Sequence, residues 1–130
     1  MPEIPRSLNH QYGTGRGGSK FLVPEVRKYR ARVLETVRAS GMSGWQSGGA
    51  IAAVIVFSSS SWVREDRTIA EKDVDNRPKI LFDALQDAVP GFRDEAVWTF
   101  HAFKQLTRGN DRTSVYLFDL GLLVSRTQGL

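Results

Sequence analysis

Apolar residues recur along this chain with two different periods, and the change of period outlines its elements. From Pro24 to Ala39, Val26, Tyr29, Val33 and Val37 fall at helical spacing and predict a helix with one core-facing stripe. Pro24 suits a first helical turn and Gly41 a C-terminal cap. Ala50 to Phe57 is short, apolar and rich in β-branched residues, which predicts a buried strand. A second helix is expected from about Asn76 to Val89, stopped by Pro90-Gly91, with Ile80, Leu81, Ala84, Leu85 and Ala88 on its core face. Pro78 is tolerable there because backbone donors in the first turn have no helical partner. Two strands should follow, at about Val97–Lys104 and Thr113–Leu120, and the intervening Thr107-Arg108-Gly109-Asn110-Asp111 has the composition of a hairpin turn.

The remaining stretches lack a period. Met1 to Lys20 reads as irregular, and its Gly13-Thr14-Gly15-Arg16-Gly17-Gly18 has the glycine spacing of a dinucleotide-binding loop. No apolar strand precedes it, and no Gly-Lys-Ser/Thr closes it, so neither nucleotide-binding motif is supported. It reads as a flexible loop, or as a basic loop in which Arg16 and Lys20 settle on DNA phosphates. Residues 41–49 are rich in Gly and Ser and read as a loop, and Ser58 to Lys72 as an exposed, mobile one. The order helix, strand, helix, strand, strand predicts an α/β fold, a single small domain over 1–130 with a mixed β-sheet flanked by two α-helices.

Composition narrows the function. With 41% apolar residues and no cysteine, the chain can build an ordinary core but has no disulfide, thiolate zinc site or cysteine nucleophile. The longest apolar run, Ala50 to Phe57, is too short to cross a bilayer, and the N-terminus lacks the apolar core of a secretory signal. A cytoplasmic location, without membrane, is therefore expected. Residues 1–38 hold eight Lys or Arg and three acids, a net +5; the rest hold ten and eleven, a net −1. Arg27, Lys28, Arg32 and Arg38 lie off the stripe of the first helix and supply much of this excess. A basic third beside a mildly acidic remainder suits a polyanion such as nucleic acid, or is merely a well-solvated surface.

The informative stretch is Lys72-Asp73-Val74-Asp75-Asn76-Arg77-Pro78-Lys79, at the entry to the second helix. Side chains two apart share a face of an extended segment, so Asp73 and Asp75 can converge. Asp75, Lys79 and Asp83 are four apart and can line one helical stripe open to solvent or substrate. Asp94 follows the helix, and spacing alone leaves open whether it returns beside the helix N-terminus. Like-charged carboxylates about 5 Å apart repel by roughly 3 kcal/mol at an effective dielectric near 20, so three of them call for a cation. Hard oxygen ligands suit Mg²⁺ or Mn²⁺, and Lys79 could steady charge developing on a phosphoryl group. The same residues also read as helix capping, because acids favour the positive end of a helix dipole.

Asp73-x-Asp75-Asn76-x-x-Lys79, then Phe82-Asp83-Ala84-Leu85, Asp94, Val97 and Lys104 resemble the core signature of RusA-type Holliday junction resolvases. The block is about a quarter of the chain, and Pro5-Arg6-Ser7-Leu8-Asn9 is similar to the family's N-terminal segment. The resemblance implies Asp73, Asp75 and Asp94 as metal-binding acids, Lys79 as the supporting base or cation, and Lys72 as a residue that helps hold DNA. With Lys72, the residues expected on nucleic acid are Arg16, Lys20, Arg27 and Lys104. Three differences stand out: few residues precede Pro5, Glu95 follows Asp94 where the family often has two adjacent aspartates, and the loop before Asp73 is longer. Glu95 therefore remains an alternative to Asp94.

The resemblance implies a divalent-metal-dependent endonuclease that resolves four-way junctions in recombination and repair. A junction has two like strands to cut, which implies a homodimer with one site per protomer. Two rivals stand beside it: a non-catalytic basic DNA-binding module, and a metal-dependent nuclease without junction preference. Outside this block, His101 reads as structural and His10 as a DNA contact or a surface residue. Trp98 reads as core because it lies in a strand, and Trp62 as the better base-stacking candidate.

Overall fold

The computed structural model describes residues 3–4, 12–14, 20–70 and 77–121. The expectations for His10, Arg16, Lys72, Asp73 and Asp75 fall outside them. Two short strands, β1 (Tyr12–Thr14) and β2 (Lys20–Leu22), pair antiparallel, with Tyr12 opposite Leu22. Within the stretch expected to be irregular, residues 12–14 are thus paired with 20–22. Three-residue strands interrupted by Gly13 carry no alternation that could reveal them.

The first helix, α1, runs Pro24–Ser40. Pro24 occupies its first turn, with Glu25 at the positive end of the dipole and Arg38 at the negative end. Gly41 ends it at φ 77°, donating its N–H to the carbonyls of Val37 and Arg38; a side chain would be strained in this left-handed conformation. Val26, Tyr29, Val33 and Val37 are all buried, as their spacing predicts. The second helix, α2, spans Arg77–Ala88 and buries Pro78 and Phe82 in addition to the five residues expected. It lies beside α1, where Arg30 reaches Asp87 at 3.2 Å and Asp83 at 3.8 Å. Asp83 is therefore turned toward α1 and does not continue an open stripe from Lys79.

Strands β3 (Ala50–Ser59), β4 (Val97–Leu106) and β5 (Arg112–Gly121) form a mixed sheet in the order β4-β3-β5. β4 runs parallel to β3 and β5 antiparallel, so the apolar β3 is central. A parallel neighbour needs a crossover, and α2 supplies it. The expected hairpin between the last two strands is overturned: β4 and β5 lie on opposite edges, and residues 107–111 pass over the end of β3. Ser59 fastens this passage, its carbonyl accepting from the Thr107 N–H at 3.2 Å and its hydroxyl donating to Asp111 at 2.7 Å. Trp98 and Leu120 are the extra residues of bulges that flank the start of β3.

Of the exposed, mobile loop expected over Ser58 to Lys72, residues 60–61 and 64–69 are exposed, but its first residues belong to regular elements. β3 continues through Ser59 and Ser60–Trp62 forms a 3-10 turn. Val63 then bridges Ile69, and Asp66 accepts from both the N–H and the hydroxyl of Thr68. Both helices pack on one face of the sheet, with Ile51, Ala53, Ile55 and Phe57 of β3 at the centre of the core. At its margin the backbone of Gly91 bridges that of Gln46 so closely that a side chain there would run into the Trp45 carbonyl. Among the described residues no helix is long and apolar enough to cross a membrane.

Candidate functional site

The parallel crossover carries α2 back over β4, which brings the first turn of the helix beside the edge of the sheet. There, Pro78, Lys79 and Phe82 of α2, Asp94 of the following 3-10 turn (Asp94–Ala96), and Val97 and Phe100 of β4 line a depression of about 250 Å³. Phe82 and Phe100 meet edge-to-face, with ring centroids 5.3 Å apart, and form its apolar wall. Lys79 and Asp94 are exposed on it. Asp94 thus lines the same depression as Lys79, while its own position along the helix is beside Gln86, in the latter half of α2.

The neighbouring acid is placed differently. Glu95 pairs with Arg93 at 3.3 Å and does not line the depression, whereas the Asp94 backbone N–H donates to the Gln86 side chain at 3.2 Å. Asp73 and Asp75, the other two expected ligands, precede Arg77 by four and two residues and lie outside the described chain. Among the described residues no three His, Cys, Asp or Glu side chains come together as a metal site. Of the expected set, Asp94 is the one donor that the described chain contributes, and an exposed carboxylate is an oxygen ligand suited to a hard divalent cation.

Two further cations gather on Trp62. Trp62 is buried, 5% exposed, and its indole N–H donates to the Phe57 carbonyl at 2.8 Å. Its ring carries the Arg77 guanidinium at 5.5 Å and the Lys104 ammonium at 5.1 Å. Arg77 begins α2, two residues before Lys79, and Lys104 projects from β4 on the helix-covered side. The first N–H groups of a helix have no partners within it and add to the attraction for an anion. Arg77 and its shared platform were missed in the sequence, because nothing in the spacing shows that Arg77, Lys104 and Trp62 meet.

Other expectations change. Trp62 is a buried anchor rather than a surface for stacking bases, while Trp98, expected in the core, is 58% exposed at its bulge. His101 is exposed and stacks on Phe103 at 6.3 Å. Arg27 is exposed on α1 and does not line the depression, and Lys20 lies in β2. A larger recess of about 350 Å³ sits where residues 107–111 cross β3. Its polar groups fasten one another, as in the bond from Ser58 to Gln105 at 2.8 Å, so we read it as structural. Burial first, and then the Glu3 carboxylate, push the Tyr29 hydroxyl far above the usual phenol range.

No protein-family model matches the chain, and no curated protein matches it either.

Proposed function

We propose that this chain is a divalent-metal-dependent endonuclease that cuts branched DNA, with four-way junctions as its substrate, and that it works as a homodimer. One observation carries the reading: Asp94 and Lys79, far apart in sequence, line one depression between α2 and β4, and Asp73 and Asp75 precede that helix in the sequence. Asp94, with Asp73 and Asp75, would hold Mg²⁺ or Mn²⁺. Such an ion polarises a phosphodiester and lowers the pKa of a bound water. Lys79 would stabilise charge on the phosphoryl oxygens, and Arg77 and Lys104 would seat the backbone phosphates from the Trp62 platform. The apolar wall of Phe82 and Phe100 would limit water on the side away from solvent.

Incubation with a four-way junction and with linear duplex, each with and without Mg²⁺, tests the reading. Junction cleavage that needs the metal supports it. Cleavage of both substrates alike would make the chain a general nuclease, and salt-sensitive binding without cleavage a DNA-binding module. Within the site, Asp94→Asn should lower cleavage at least a hundredfold while junction binding persists, whereas Glu95→Gln should stay within about threefold of wild type. Equal, mild effects of the two substitutions would remove Asp94 from the chemistry.

A further inference from the structure

Among the described residues, the helices cover one face of the three-stranded sheet and leave the other open. On the open face β3 places Val54 and Val56, beside His101 and Phe103 of β4 and Tyr116 and Phe118 of β5. Phe103, Tyr116 and Phe118 are 51%, 53% and 51% exposed. These rings stand on both edge strands of one face, flanking the apolar Val54 and Val56, whereas apolar residues exposed singly would need no explanation. Between the rows of Ala52 and Val56 this face holds no Lys, Arg, Asp or Glu; Arg112, opposite Ser58, stands at its end.

We propose that this open face is the contact through which two copies of the chain form a two-fold dimer. The inference rests on the homodimer of the preceding section and names its surface, but it does not depend on the chemistry proposed there. The first argument is charge. A two-fold contact sets a patch against itself, so a charged centre would repel its own copy, and this centre has no formal charge. The same absence disfavours DNA as the occupant, because phosphates need cations, and Lys104 projects from the other side of β4.

The second argument is size. Three strands of ten residues present about 30 × 15 Å in plan, from roughly 3.3 Å per residue and 4.8 Å between strands. Protruding aromatic side chains raise this to roughly 600 Å² of accessible surface per copy. Two copies would then bury about 1,200 Å², the lower end of stable, specific interfaces. The third argument is placement. The depression with Lys79 and Asp94 is built from α2 and the helix-covered side of β4, so pairing through the open face leaves it accessible in both copies.

Sedimentation equilibrium of the full chain, without DNA or metal, tests this. The wild type should be dimeric with a dissociation constant in the micromolar range or below. Phe103→Lys and Tyr116→Lys, on opposite edges of the sheet, should each raise that constant at least tenfold with the far-UV spectrum unchanged. Glu35→Gln, exposed on α1, should leave it within twofold. If a lysine variant loses its fold, Tyr116→Ser takes its place with the same expected weakening. A wild type that stays monomeric to about 100 μM overturns the proposal, as does a dimer whose constant is unmoved in the folded open-face variants. A dimer that cuts no DNA would sink the nuclease reading alone, and a monomer that cuts junctions would sink this interface alone.

Discussion

The two faces of the sheet share one central strand, yet they have different fates. On the covered face Ile51, Ala53, Ile55 and Phe57 are at most 1% exposed, sealed by α1 and α2. On the other, the intervening Ala52, Val54 and Val56 are equally apolar but only half-buried, with aromatic rings standing beside them in the open. A strand buried on one face alone would alternate apolar and polar residues. β3 is instead apolar on both, through the run Ala50–Phe57. Such a run asks for two covers, and among the described residues the fold supplies one.

The comparison predicts unequal costs for similar truncations on adjacent residues. Ile55→Ala should destabilise the fold by about 3 kcal/mol, because it removes packed methyl groups and leaves a cavity the helices cannot fill. That corresponds to a fall of roughly 10 °C in melting temperature. Val54→Ala, one residue away, should cost less than about 1 kcal/mol when measured by urea unfolding of dilute, monomeric protein. Equal costs in dilute protein would show that the open face is already covered within a single chain. A cost at Val54 that grows with protein concentration would sharpen the contrast, because burial there would come from the second copy.

Two tryptophans offer a second, smaller contrast. Trp62→Phe removes the donor to the buried Phe57 carbonyl and weakens the platform under Arg77 and Lys104. A loss of about 1–3 kcal/mol is expected. Trp98→Phe should change stability by no more than about 0.5 kcal/mol and should shift the remaining tryptophan emission to shorter wavelength, since an exposed indole has been removed. The reverse ranking would mean that the bulge at Trp98, not the turn at Trp62, anchors this side of the sheet.

These residues also show where sequence reasoning succeeds and where it stops. The stripe Val26, Tyr29, Val33 and Val37 and the apolar run of β3 were legible because burial imposes a period on the chain. Trp62 was not, since serines and charges surround it and its anchor, the Phe57 carbonyl, has no signature in side chains. The pairing of β4 was missed for a related reason: a five-residue polar loop looks the same whether it turns back on its neighbour or steps over β3 to the far edge. Composition describes the loop, while the partner of each strand is chosen by the whole sheet.

At the candidate site the sequence marked Lys79 and Asp94 as chemistry-bearing but left their distance open, because it depends on the parallel crossover. Once α2 is carried back across β4, Lys79 and Asp94 line one depression, with Asp94 itself beside Gln86 in the latter half of the helix. Asp83 shows the converse. Its spacing from Lys79 is helical and its type is right, yet Arg30 of α1 takes it up. Spacing along one helix cannot show which face a second helix will cover.

The smallest expected effect lies at the start of β3, where Asp119 holds the chain that enters the sheet. Its carboxylate accepts from the Gly48 N–H at 3.0 Å, the Gly121 N–H at 2.8 Å and the Ser47 hydroxyl at 3.0 Å. Those three donors, the backbone of Gly48 foremost, hold the Asp119 carboxyl below the usual aspartate value of 3.8. A carboxyl depressed in the folded state favours folding wherever the unfolded chain would also be ionised, so its contribution is complete above about pH 5. As the pH falls past 3.8 the unfolded chain binds a proton first, and the contribution shrinks until the folded carboxyl is protonated too. Asp119→Asn presents an amide N–H₂ where Gly48 needs an acceptor. The variant should therefore be slightly less stable than wild type at neutral pH. Urea unfolding from pH 7 to pH 3 should give a constant gap between the two proteins down to about pH 5, closing below pH 4. A gap that widens on acidification would mean the carboxyl is raised by burial instead. A gap independent of pH would mean the three donors act only through geometry, with no preference for the charged form.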